Sequence, residues 1–354
     1  MKLVPGSLYF IAEVDVLTGE KFDYFKIGLV KDSRQGDSFD RAGEHQTGNP
    51  RRLEVRHTVE SPAINDLETA MHDIYATERI FGEWFVLPKA SVKSVVAKAE
   101  ELAREQQSVL RAARTADKYA AIASTDRTLA ATPTARSLYI QLQQAKLELK
   151  EIKKAFDTEK VFFLSLASVK FDTSLFFTTT SKVQTKFDEE KLAEQHPKIY
   201  RKFLETSTTL TSSFTSPAAK DLNLRLPPEV EFAVEAQLER ISKAGRRPNE
   251  VNTREIHFNH LALLSLYGQA EWRSDLVTTQ IKALMKNALA IESVARWSRS
   301  PKESQKFLLK EFREAHPDLY EGLTIRSATK SSAISDMRSY PRRKVITKKA
   351  ELSF

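Results

Sequence analysis

The sequence predicts an α+β protein in two unequal parts: a compact strand-and-helix unit in residues 1–88, then a mainly α-helical, basic region. Three observations point there. Residues 8–16, 22–30 and 52–59 are rich in β-branched and aromatic residues and are separated by polar turns. Beyond Pro88 the apolar residues recur at helical spacing instead. The charge divides at the same place: residues 1–88 hold 10 Lys/Arg against 15 Asp/Glu (net −5), and residues 89–354 hold 45 against 32 (net +13). A basic body suits a polyanionic partner, because Lys and Arg contacts to phosphate supply most non-specific affinity for nucleic acid. A merely solvated surface is the plain alternative.

Taken in order, L-Y-F-I-A-E-V-D-V and F-D-Y-F-K-I-G-L-V, joined by L-T-G-E-K, form a hairpin. A polar loop follows, then a short helix from about Asp40, ended by H-Q-T-G-N-P because Gly48 and Pro50 cannot continue it. Leu53, Val55, His57 and Val59 share one face of a third strand. The period then becomes helical, with Ile64, Leu67, Met71 and Ile74 on one stripe. R-I-F-G-E-W-F-V-L gives a turn and a short fourth strand. Ser91 can cap a helix carrying Val92, Val95, Val96, Ala99 and Leu102. An Ala/Thr stretch to Pro133 reads as a loose connection.

From Thr134, Leu138, Leu142, Ala145, Leu149, Ile152 and Phe156 form a short heptad seam. That seam can pair two copies in a homodimer or pack on a helix of the same chain. Residues 161–187 are Phe-rich with no clear period, Thr206–Ser216 reads as a polar link, and residues 227–298 are mostly helical. The echo of A-E-Q-H-P-K-I-Y (193–200) in R-E-A-H-P-D-L-Y (313–320) suggests a duplicated helical module. The sequence thus divides into a head (1–88), a helical connector (89–160) and a mainly helical basic region (161–354).

Composition excludes several classes. No apolar run approaches the roughly 18–20 residues of a spanning helix. The start, M-K-L-V-P-G, lacks the apolar core of a signal peptide. There is no cysteine, so disulfides, thiolate metal sites and cysteine nucleophiles are out. A cytoplasmic protein without membrane contact is expected. No phosphate-binding glycine loop occurs. His257 and His260 in H-F-N-H lack an evident third ligand for a metal.

The head is where chemistry concentrates. Polar residues break its apolar pattern at Tyr9, Lys26, Arg41, His45, Glu68 and His72. The hairpin can bring Tyr9 and Lys26 together, and the spacing of four puts Arg41 with His45, and Glu68 with His72, on common helix faces. Each residue alone has a plain structural reading. Together they are an inventory for phosphodiester hydrolysis: a carboxylate for a divalent metal, an arginine for the phosphate and a base for the water.

The same residues resemble the GIY-YIG endonuclease family, in the variant frequent in phage and prophage proteins. Ser7-Leu8-Tyr9 stands for the first motif and Lys26-Ile27-Gly28 for the second. D-R-A-G-E-H followed by T-G-N-P stands for the arginine helix, Glu68 in D-L-E-T-A-M-H for the metal-binding glutamate, and Glu83-Trp84-Phe85 for the closing strand. Together these motifs span about residues 6–88.

The resemblance implies metal-assisted cleavage of DNA on a small antiparallel sheet flanked by helices, in a phage or mobile-element context. Glu68 would hold Mg²⁺ (or Mn²⁺), Arg41 would stabilise the phosphate, and Tyr9 or His45 would handle the water. Lys26 would supply positive charge beside Tyr9. It replaces the family's second tyrosine, and Ser7 replaces the first motif's glycine. His72 would line the site, and Glu83 stands near the place of the family's late asparagine. The basic tail, with Arg342, Arg343, Lys344, Lys348 and Lys349, is the candidate DNA grip. Two alternatives stay open: a catalytically inactive DNA-binding or structural module, and an assembly protein built on the 138–156 seam.

Overall fold

The structure, a computed structural model, describes residues 1–33, 38–47, 49–168, 177–219, 221–246 and 253–335. The chain is α+β, as its patterning predicts. The head contains β1 (Gly6–Val14), β2 (Lys21–Lys31), α1 (Ser38–Gln46), β3 (Arg52–Ser61), α2 (Ile64–Ile74), β4 (Arg79–Phe81) and β5 (Trp84–Val86). Its five strands pair antiparallel in the order β3-β1-β2-β5-β4. R-I-F-G-E-W-F-V-L thus gives two short strands around the turn at Gly82, one more than the sequence suggests.

Alternation sorts the sheet's two faces. Leu8, Phe10, Phe25 and Ile27 face Ile64, Leu67 and Met71 of α2 in the main core, while Tyr9, Ile11 and Val30 face Ala42 of α1.

The core of the head runs past Pro88. The helix α3 (Lys89–Ser108) adds Val95, Val96, Ala99, Leu102 and Ala103 to it. Ser91 does not cap this helix; Pro88 holds the N-cap position, and no side chain bonds there. Then come α4 (Leu110–Ala120), β6 (Thr128–Leu129) and α5 (Pro133–Ser168), so the Ala/Thr stretch is largely a helix. After α5 follow β7 (Phe177–Phe187), α6 (Glu189–Gln195), α7 (Pro197–Lys202), β8 (Leu204–Thr215), α8 (Pro228–Arg246) and α9 (Thr253–Met285). The chain continues through β9 (Ala290–Ile291), β10 (Ala295–Phe307), α10 (Leu309–Ala315), α11 (Pro317–Gly322) and β11 (Thr324–Ile334). Thr206–Ser216, expected as a polar link, is mostly strand β8.

The helix α9 is the spine. Along one side it packs antiparallel on α5, with Leu138 and Leu142 near Val277 and Ile281 at one end and Phe162 and Leu166 near Ile256 at the other. Ile152 meets Leu263 of α9 and Val230 and Val234 of α8. The heptad seam is therefore spent within the chain. Leu142 and Ile152 are fully buried there, which withdraws them from any homodimer through 138–156.

On its other side α9 carries the head. Trp272 enters the head's core and donates to Glu105 Oε2 at 2.6 Å, and Ser265 donates to the Ile74 carbonyl at 2.6 Å. At Gly268 the two helices approach so closely that an added Cβ would lie 2.6 Å from Cβ of Asp73. Gly→Ala in a helix interior ordinarily stabilises by up to about 1 kcal/mol. Here Gly268→Ala is expected to lower the melting temperature instead, as a thermal unfolding scan would show.

The His-Pro echo marks a real duplication, of strands as well as helices. β7-α6-α7-β8 and β10-α10-α11-β11 repeat one pattern, with His196 and His316 standing 120 positions apart. In each copy His-Pro closes one short helix and starts the next: the His196 N–H bonds the Leu192 carbonyl at 2.8 Å and Pro197 takes the first turn of α7. The strands pair between copies, β7 with β11 and β8 with β10. Phe187 lies opposite Thr324, and Leu204 lies opposite Phe307. Moving each partner by 120 turns one register into the other, which is a pseudo-two-fold relation.

Ring contacts obey it too. Phe187 stacks on Tyr320 at 5.4 Å and Phe307 on Tyr200 at 5.2 Å, with Phe187 and Phe307 stacked at 5.8 Å between them. These rings, with Leu192, Phe312 and Leu323, form an apolar hub. From it the two ribbons run back to opposite ends of the α5/α9 pair, where Phe214 and Trp297 root one and Ile334 the other.

Candidate active site

Tyr9, Lys26, Arg41 and His45 gather on the α1-facing side of the sheet, while Glu68 and His72 come from α2, which packs on the opposite face. Tyr9 on β1 pairs with Gly28 on β2, and alternation puts Lys26 on the same face. Tyr9 is almost wholly buried, packed with Ile11, Val30, Ala42 and Leu53. Its ring lies across Gly28: a Cβ there would stand 2.5 Å from the phenol oxygen and 2.7 Å from Cζ. The glycine after Lys26-Ile27 is therefore the clearance for the tyrosine.

Lys26 is 8% exposed. Its ammonium forms an ion pair with Glu83, in the turn between β4 and β5, and the Glu83 carbonyl accepts the Ile27 N–H at 3.0 Å. Burial pushes the Glu83 carboxyl up, but the hydrogen bond and charge of Lys26 outweigh it and hold the group below the ordinary glutamate range. The expectation that Lys26 supplies the charge beside Tyr9 gives way to a different cation, Arg41.

Arg41 projects from α1 beside the Tyr9 oxygen, where it favours the ionised phenol. It also pairs with Glu44, three residues on. Its buried Nε has no hydrogen-bond partner among the described residues. Burial raises the Tyr9 pKa, with Arg41 pulling the other way without winning. His45, one turn after Arg41, brings Nε2 to 3.5 Å from the phenol, at the limit of a hydrogen bond. Burial, then the charges of Lys26 and Arg41, lower its pKa. The imidazole is thus neutral near pH 7 and can accept a proton.

Glu68 and His72 come from α2, but they do different things. His72 Nε2 lies 2.9 Å from the Ile27 carbonyl and its ring packs on Phe85 at 5.4 Å. Burial takes its pKa down to about 4, so it is neutral and anchors β2 rather than lining an open site. Glu68 is pushed up to about 7, first by burial and then by the neighbouring charge of Glu83. Lys26, Arg79 and Lys31 pull the other way. Between the ordinary value of 4.5 and about 7, the folded chain keeps a proton on Glu68 that the unfolded chain has released. Stability should therefore fall as pH rises through that window. In metal-free buffer, Glu68→Gln is expected to melt above wild type at pH about 8, and close to it at pH about 4.5.

Arg79 was not foreseen. It donates from Nε to the Gly82 carbonyl at 2.6 Å, so it braces the turn that carries Glu83 while sitting within electrostatic reach of Glu68. The sequence signal was slight: a cation at the start of a strand too short to show a period. Arg342, Arg343, Lys344, Lys348 and Lys349 lie outside the described residues. His257 and His260 are spent elsewhere, on the Ser335 carbonyl at 2.9 Å and on Glu159 at 2.9 Å.

No family model, curated protein or solved structure matches the chain.

Proposed function

We propose that the head is a metal-dependent endonuclease of GIY-YIG type, hydrolysing phosphodiester bonds of DNA. One observation carries this reading. Tyr9 of β1 and His45 of α1 meet at 3.5 Å with the Arg41 guanidinium beside them, and the charge of Glu68 on α2 reaches Tyr9. A purely structural tyrosine would need neither the arginine nor a desolvated carboxylate nearby.

The donors fit a hard divalent cation held loosely. Mg²⁺ commonly takes one or two carboxylates and completes its shell with water and phosphate oxygens. Glu68 is such a carboxylate, destabilised as an isolated anion and so favoured by a cation beside it. Bound Mg²⁺ would supply Lewis-acid polarisation of the phosphate. The chain's own residues do the rest. Arg41 offers its spare Nε–H to a phosphate oxygen and stabilises the charge that grows there. Neutral His45 receives a proton, directly or through the Tyr9 hydroxyl, because Tyr9 itself is too weak an acid at its raised pKa to start ionised. Lys26 and Glu83 hold each other and fix the turn against β2.

No helix among the described residues is long and apolar enough to cross a membrane, in keeping with a partner met in water. The test is cleavage of plasmid and single-stranded DNA with Mg²⁺, wild type beside Glu68→Ala. Activity lost in the variant is expected. A folded wild type inert on DNA and RNA, with Mn²⁺ as well, would leave the inactive binding module instead.

A further inference from the structure

The two ribbons have no part in the chemistry just described, and their build is unusual. None of the twelve residues of β8 is buried, and β10 is exposed from Ser300 to Lys306. A two-stranded ribbon without a core is marginal in water. Among the described residues, the β8/β10 ribbon is held by the hub at one end and, toward its root, by the α5/α9 pair, β9 and the bonds of Arg299 to Ser124, Lys286 and Ala288. Such an arrangement keeps the long polar surface of β8/β10 in solvent.

We propose that the β7/β11 and β8/β10 ribbons form a pseudo-two-fold cradle for duplex DNA, taking its phosphates on both sides of one dyad. The choice of DNA as the duplex rests on the nuclease reading of the head. The four strands contain 21 Ser/Thr and eight Lys/Arg among 47 residues, against two acids, Glu205 and Glu303. Hydroxyls, ammonium groups and guanidinium groups are the donors that phosphate oxygens accept. A protein partner would need apolar anchors, and the rings of the ribbons are concentrated in the hub and roots.

Symmetry narrows the ligand further. The backbones of a duplex are themselves related by a dyad, and two-fold proteins meet two equivalent stretches about one helical turn apart. The ribbon roots sit on α5 near Leu138 and Phe162, about 36 Å apart at about 1.5 Å per residue, close to one turn of B-DNA. Lysines recur at equivalent places, Lys186 with Lys306 and Lys182 with Lys302, each pair 120 positions apart. Lys186 and Lys306 are both exposed, flanking the hub.

The experiment uses the full chain without divalent metal and a labelled duplex of about 30 base pairs, read by anisotropy over a range of salt. Lys186→Gln and Lys306→Gln are each expected to weaken binding about five- to tenfold and to reduce the log–log salt slope by about 0.9. The two losses should match within about twofold and multiply in the double variant. Unchanged melting temperatures would show that the fold is intact. Wild-type binding that the double variant leaves unaltered would overturn the cradle and place the grip elsewhere in the chain. So would a loss confined to one ribbon, or no duplex binding at all. Cleavage in Mg²⁺ is scored separately: binding without cleavage would sink the nuclease and leave the cradle, and cleavage with unaltered binding in both variants would do the reverse.

Discussion

Glu68→Ala is expected to reduce Mg²⁺-dependent cleavage by on the order of 10³-fold or more while leaving duplex retention near wild type. α2 holds this carboxylate where burial first, and then the charge of Glu83, raises its pKa to about 7, so an anion there is costly until a cation arrives. Alanine removes the group that the cation would meet. Glu83 cannot replace it, because Lys26 already holds that carboxylate ionised and paired. Arg41→Ala should cost less, on the order of 10²-fold, since it removes charge stabilisation without removing the metal's anchor. Retention should survive both changes, because the head is net acidic and the proposed cradle lies outside it. A nicking assay with a gel shift on the same samples separates the two readouts. A folded Glu68→Ala chain that had also lost DNA would show that the head itself does the holding.

How much of this was legible in the sequence depended on whether each element buried one face. The strands of the head did, so alternation revealed them, and it also placed Tyr9 and Lys26 on one side of the hairpin. α2 showed its stripe for the same reason. β8 buries neither face, and β10 does so only at its root and at the hub. L-E-T-S-T-T-L-T-S-S-F-T carries Leu204 at the hub, Leu210 midway and Phe214 near the helices, too sparse a set to show alternation, so it reads as linker. What makes it a strand is β10, whose pairing residues lie some ninety positions away and leave no local mark. The His-Pro echo was visible because a helix stop and restart is a local event.

Within the site, the residues could be named but their partners could not. Lys26 meets Glu83 across the β2/β5 pairing, and the spare cation for Tyr9 proved to be Arg41; both depend on how α1 and the β4/β5 turn close over the sheet. The heptad seam was correctly a packing surface. Whether its partner was a second copy or α9 was not decidable from α5 alone, because either supplies the same apolar ridge.

The second large effect is expected at a residue with no side chain. Gly28→Ala should destabilise the chain by about 2–3 kcal/mol and lower cleavage by on the order of 10²-fold. The new Cβ would stand 2.5 Å from the Tyr9 hydroxyl oxygen and 2.7 and 2.9 Å from two of its ring carbons, closer than non-bonded atoms tolerate. The ring cannot easily yield, being packed by Ile11, Val30, Ala42 and Leu53 on the α1 side. It moves only by giving up its contacts with Arg41 and His45, so the same displacement costs packing and chemistry together. Tyr9→Phe separates the two, since it removes the oxygen and keeps the ring. It should melt near wild type and report the hydroxyl's share of the rate. The decisive comparison is a double-mutant cycle in stability. In a Tyr9→Ala background the clash is gone, so Gly28→Ala should cost much less than it does in wild type. Equal costs in both backgrounds would mean that the glycine answers to the backbone and not to the tyrosine.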